Sequence, residues 1–142
     1  MSYQKEVTVE NIEIADLVPM NDPNKLIGEV KIIISMEYPD FDFRPLYHSF
    51  YSIVRLFEGK YSGYQKCNTN YHDLKHTTDT LLAMTRLIHG YIIKKEPFSE
   101  KTITLGLISA IMHDTGFIQK IDDPDGSGAK YTTEHIQRSI DF

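Results

Sequence analysis

The sequence predicts an all-α fold, and three observations carry that reading. Leu46, Phe50, Ile53, Val54 and Phe57 recur at the spacing of one buried helical stripe between Pro45 and Gly59. A long periodic segment from about Tyr71 to Lys94 carries Leu74, Leu81, Leu82, Met84, Leu87, Ile88 and Tyr91. A third segment, Ile103 to Met112, is apolar nearly all round, the pattern of a helix buried on most sides. No segment reads firmly as a strand.

The elements follow in order. Residues 1–26 read as an N-terminal extension or linker. Val7, Val9, Ile12 and Ile14 hint at a short extended piece, and Pro19, Asn21, Asp22 and Pro23 break the chain. A helical domain is expected over 27–142. From Lys25 to Met36 the run Lys31-Ile32-Ile33-Ile34 leaves helix or strand open. Pro45 suits a first helical position and Gly59 a C-terminal stop. Ten of the sixteen aromatic residues lie between Tyr38 and Tyr71, so this region supplies much of the core's bulk. Pro97 ends one connection and Ser99 is placed to cap the next helix. That helix ends at His113-Asp114-Thr115-Gly116, and a turn-rich loop from Asp122 to Gly128 follows. A last helix is expected from Thr132 or Thr133, still running at Phe142.

Composition narrows the functional classes. The chain has 142 residues, with 41% hydrophobic and 25% charged, the profile of one soluble globular domain. A net charge of −5 provides no basic footprint for a nucleic-acid polymer. The single cysteine, Cys67, excludes an internal disulfide framework and thiolate-rich zinc sites. The N-terminus lacks a signal-peptide pattern and the longest apolar stretch, Leu105 to Met112, is too short to span a bilayer. A cytoplasmic location with no membrane partner is the resulting expectation.

Three short segments carry candidate chemistry. His113-Asp114 closes an apolar helix, and a buried carboxylate is costly unless something positive or a donor compensates it. A divalent cation would do so, with His and Asp both suitable ligands. The bland alternative is a dipole-paired His followed by an Asp that starts a turn. In His72-Asp73-Leu74-Lys75-His76-Thr77-Thr78-Asp79, His72 and His76 share a helix face and Asp79 extends it. Such a pair can bind a metal, or one member can bind while the other donates a proton. A solvated polar face is the competing reading. His135 in Thr133-Glu134-His135 would return to the same pocket through a helix hairpin, or else face solvent.

Taken together, the order His, then His-Asp, resembles the HD superfamily of metal-dependent phosphohydrolases. Tyr71-His72-Asp73-Leu74-Lys75-His76-Thr77-Thr78-Asp79 is similar to the Tyr-His-Asn-x-x-His-x-x-Asp signature of cyclic-nucleotide phosphodiesterases and their bacterial relatives. Ala110-Ile111-Met112-His113-Asp114-Thr115-Gly116 resembles the apolar-helix-His-Asp-x-Gly element, and Glu134-His135 a further His-bearing helix of several branches. The resemblance covers roughly residues 43–142. It implies His76, His113 and Asp114 as ligands of a first metal, Asp114 as a bridge to a second, and His135 as a ligand of that second ion. It implies His72 as the proton donor to the leaving oxygen and Asp79 as a residue supporting the ligands. One or two divalent ions (Mn, Fe, Co, Ni, Zn or Mg) are the cofactors it implies, and a small-molecule phosphoester, foremost a cyclic nucleotide or related nucleotide diester, is the substrate.

The sequence departs from that pattern in three places. Asp73 replaces the usual Asn, Phe117 follows Gly116 where many members have Lys or His, and only Asp141 offers a late Asp to close the first metal site. The expected architecture is therefore an HD-like bundle incomplete at its C-terminus, for which homodimerisation would cover exposed apolar surface. The same departures keep a non-catalytic sensory or interaction module as the alternative. His72-Asp73-Leu74-Lys75-His76 also resembles the His-Glu-x-x-His helix of zinc peptidases, a reading that leaves His113-Asp114 unexplained. His48, His89 and Cys67 read as incidental, and Lys75, Lys120, Lys130 and Arg138 as surface charges.

Overall fold

A computed structural model describes residues 22–142. The expectation for residues 1–21 lies outside the described residues. Five α-helices follow one another: α1 Pro23–Ser35, α2 Arg44–Phe57, α3 Leu74–Lys94, α4 Glu100–Met112 and α5 His135–Asp141. Two 3₁₀ turns, Thr115–Phe117 and Gly128–Tyr131, lie between α4 and α5. The all-α expectation holds among the described residues, where pairing of extended backbone is limited to an isolated Tyr64–Lys120 bridge.

Local chemistry explains the helix starts. Asp22 caps α1 by accepting from the backbone N–H groups of Asn24 and Lys25, and Pro23 follows with its φ already suited to a helix. This resolves the run from Lys25 as helix, ending at Ser35 with Met36 as its C-cap. The expected boundary at residue 26 falls inside α1, whose Leu26 is fully buried. Asp73 caps α3 by accepting from His76 N–H at 2.8 Å, so the helix begins three residues later than Tyr71. Asp and Asn cap helices about equally well, which accounts physically for Asp73 in place of Asn. Ser99 caps α4 as its sequence position predicts. At the end of α2, Gly59 adopts φ +74°, the left-handed conformation that stops a helix there.

The core is continuous. Leu26, Val30 and Ile34 of α1, Leu46, Phe50 and Leu56 of α2, Leu81 and Leu82 of α3, and Ile103, Leu107 and Ile111 of α4 are almost completely buried. Helix α3 packs between α1 and α4, and α2 lies on α4. Helix α4 was expected to be buried on most sides. Instead Leu105 stands 56% exposed, because the neighbouring helices cover only the Ile103–Leu107–Ile111 face. The last helix also begins later than expected, at His135, because Gly128–Tyr131 forms the second 3₁₀ turn. None of the described helices is long and apolar enough to cross a membrane.

Candidate metal centre

The site forms where α4 ends and α3 begins. His113 is the last helical-conformation residue of α4, and Asp114 leaves the helix at φ −108°, ψ 7°. That change of direction lets two sequence neighbours face one point. The Asp114 side chain is only 2% exposed, and its Oδ2 lies 2.7 Å from His72 Nδ1, 3.0 Å from His113 Nε2 and 3.4 Å from His76 Nε2. Ligand atoms of His72, His76 and Asp114 all lie within 4.8 Å of one another, a group able to hold a metal ion.

The loop before α3 is itself pinned. Thr69 Oγ1 donates to the His72 carbonyl at 2.7 Å, and Asn68 Oδ1 accepts from Gly128 N–H at 2.9 Å. The 3₁₀ turn after α4 is held against α5. Gly116 N–H donates to Ser139 Oγ at 2.9 Å, Ser139 Oγ donates to the His113 carbonyl at 2.8 Å, and Arg138 Nε donates to the Gly116 carbonyl at 2.7 Å. Three chain segments are thereby fixed around one carboxylate.

Hydrogen bonding sets the imidazole tautomers. His113 Nδ1 lies 2.8 Å from the Ala110 carbonyl, which can only accept, so Nδ1 carries the proton and Nε2 turns toward Asp114. This is the orientation a metal-ligating histidine requires. Three imidazole nitrogens crowd a single carboxylate oxygen, more donors than one oxygen accommodates well. A cation among their lone pairs relieves that crowding, so the donor set fits a divalent ion. Without one, the hydrogen bond to Asp114 raises the His113 pKa despite its burial. Burial pushes the Asp114 carboxyl up, but the hydrogen bonds of His113 and His72 outweigh it and hold the pKa below the ordinary value.

A pH dependence follows for the metal-free chain. The His113 contribution is complete below its ordinary pKa of 6.5 and is lost as pH rises through its raised folded value. The Asp114 contribution is present above 3.8 and is lost as pH falls through its lowered folded value. Urea midpoints measured with chelator are expected to fall on either side of the window between 3.8 and 6.5, and His113→Gln is expected to flatten the alkaline limb. An unchanged alkaline limb in that variant would show that the pair contributes nothing.

The remaining candidates sit as follows. His113 contacts Asp114 but lies outside the three-residue ligand group, whereas His72, expected as the proton donor, lies inside it. His135 lies outside the ligand group. Its ring and the His72 ring both stack on Phe117, at 4.3 and 4.2 Å and each 17° from parallel, and the two imidazoles lie 6.4 Å from each other. His135 Nδ1 donates to the Thr132 carbonyl at 2.8 Å. Asp79 pairs with Lys75 through Oδ2 at 2.7 Å, while its Oδ1 is buried without a partner among the described residues. His48 is exposed and His89 lies 3.7 Å from Glu37, away from the site chemistry, as expected. Sequence reasoning missed the Phe117 stack and the Ser139 link. Phe117 departs from the expected pattern, but nothing local to it announces two histidine partners.

Two hollows flank the cluster. An apolar groove of about 490 Å³ lies between α4 and α5, lined by Ile108, Met112, Ile136 and Ile140 with His113 and His135 at its edge. A polar pocket of about 310 Å³ opens beside His72 and Phe117. No protein-family model, curated protein or solved structure matches the chain.

Proposed function

We propose that this chain is a metal-dependent phosphoester hydrolase of the HD type, acting on a cyclic nucleotide or a related nucleotide ester. The observation that carries the reading is the convergence of His72, His76 and His113 on one oxygen of the buried Asp114. Order of residue types alone does not require that meeting, since these residues come from two separate segments.

In this reading His76, His113 and Asp114 hold the ion. A divalent ion there supplies the charge that polarises a phosphate and acidifies an attacking water. His72 has the protein's clearest acid–base position. Its Nδ1–H donates to Asp114 at 2.7 Å, which leaves Nε2 on the far side of the ring, and the protonated ring presents an Nε2–H to a departing oxygen. Asp114 therefore serves twice, as a ligand and as the group that orients His72. Phe117 fixes the same ring by stacking, which keeps His72 from rotating its Nδ1 away from Asp114. Because His135 stacks on Phe117 and lies outside the ligand group, the reading favours a single ion at His76, His113 and Asp114 over one shared with His135.

The test is metal content by elemental analysis combined with hydrolysis of a phosphodiester panel. Near-stoichiometric divalent metal and metal-dependent turnover are expected, and His113→Ala and Asp114→Ala should lose both. His72→Ala should retain most of the metal and lower turnover by about 10²–10⁴-fold, the usual contribution of a positioned acid. Turnover unchanged in the Asp114 and His113 variants overturns the proposal.

A further inference from the structure

We infer that the polar pocket beside His72 receives the organic group of the ester, and that this group is an uncharged, ring-bearing polyol such as a nucleoside carrying no second phosphate. The inference rests on the hydrolase reading above and names the class of group that reading leaves open.

The pocket shares a wall with the metal cluster through His72, so a phosphate at the cluster places its ester oxygen at the pocket mouth. Its volume of about 310 Å³ lies at the small end of ligand sites, suited to a nucleoside rather than a dinucleotide. The Tyr71 ring borders it, 66% exposed, and supplies a face for a planar ring. The side chains of Asn70 and Ser127 also line it and make no hydrogen bond among the described residues, so both remain available to hydroxyl or base-edge groups.

Charge decides between a neutral group and a phosphorylated one. No lysine or arginine lines this pocket. Lys66 and Lys120 do not line it, and three further cations nearby in the chain are engaged elsewhere. Lys130 is paired with Asp123, Lys75 with Asp79 at 2.7 Å, and Arg138 donates to the carbonyls of Gly116 and Ile118 while lying over the Tyr131 ring. A second phosphate in the pocket would lose its hydration with no cation in return, a desolvation cost that a sugar hydroxyl does not carry. The apolar groove on the other side of the cluster, walled by Ile108, Met112, Ile136 and Ile140, offers no hydroxyl partner apart from Ser109 and Ser139. Ser139 is already engaged with Gly116 and His113. A nucleoside therefore belongs in the polar pocket, and an alkyl group would belong in the groove.

The experiment uses the whole chain and reads binding instead of turnover. Manganese affinity is measured first by equilibrium dialysis. The manganese-loaded chain is then titrated calorimetrically with adenosine 5′-monophosphate and with adenosine 3′,5′-bisphosphate. Ala129→Phe places a ring in the pocket from an exposed position that is no part of the His72, His76 and Asp114 group. The expected results are monophosphate binding, bisphosphate binding weaker by about tenfold or more, and an Ala129→Phe variant with unchanged manganese affinity but monophosphate affinity reduced by about tenfold. Bisphosphate binding as tight as or tighter than monophosphate, no monophosphate binding, or indifference to Ala129→Phe with manganese still bound overturns the pocket assignment and leaves the metal centre standing. Failure of the wild-type chain to bind manganese, zinc or iron instead removes the hydrolase reading, and the pocket assignment with it. Ile136→Asp, which charges the groove, should leave monophosphate affinity within about twofold. A large loss there would place the organic group in the groove.

Discussion

Replacing Asp114 with Asn is expected to abolish the thermal stabilisation that divalent metal gives this protein. The wild-type chain should gain about 2.7 kcal/mol when metal is present at a hundredfold excess over its dissociation constant, or roughly 8 °C in Tm for a chain of this size. The variant keeps the shape of the side chain but loses its charge. In its place stands an amide that cannot offset a divalent ion at a position 2% exposed to solvent. His72 loses the carboxylate that fixes its Nδ1–H, and His113 loses the partner that raises its pKa. Differential scanning calorimetry with and without added metal measures the effect directly. A variant that retains the full metal-induced shift would show that Asp114 is not a ligand.

The second large effect is expected at Gly116. An added Cβ would lie 2.0 Å from the His135 carbonyl oxygen and 2.9 Å from Arg138 Cβ, and the first of these is backbone. Gly116→Ala therefore cannot be absorbed by a rotamer change. Helix α5 must move away, and the bonds of Ser139 to Gly116 and His113 and of Arg138 to Gly116 go with it. Overpacking of this kind with loss of buried hydrogen bonds costs about 3 kcal/mol or more. Gly90→Ala is the matched control, since nothing lies within 4 Å of its added Cβ in α3. That change should stabilise by about 0.5–1 kcal/mol, because alanine is the better helix former. Urea unfolding of the two variants side by side checks both signs. Equal stability of Gly116→Ala and wild type would mean that α5 is not held where described.

Much of this arrangement was legible from residue spacing. Leu46, Phe50, Ile53 and Phe57 repeat at helical intervals and are buried along one stripe of α2. His113-Asp114 stood out because a carboxylate at the end of an apolar helix needs compensation, and the fold brings three imidazoles to it. The limits were physical. Leu105 reads as core because its helix is apolar all round, but exposure depends on how many neighbours a helix has, which no local pattern encodes. The choice between helix and strand for Lys31–Ile34 turned on the Asp22 cap and on packing against α3, both outside that run. Phe117 meets His72 and His135 from distant parts of the chain. Only the closed fold brings the three rings together.

The pairing of Lys75 and Lys130 has a kinetic side. With those two lysines paired and a net charge of −5, the protein's overall field does not draw an anion toward the Asp114 cluster. Encounter is left to unsteered diffusion, on the order of 10⁵–10⁶ M⁻¹s⁻¹, and capture begins only within reach of the ion itself. Dissolved electrolyte screens the protein's own repulsion, so raising ionic strength should speed arrival of an anionic ester rather than slow it.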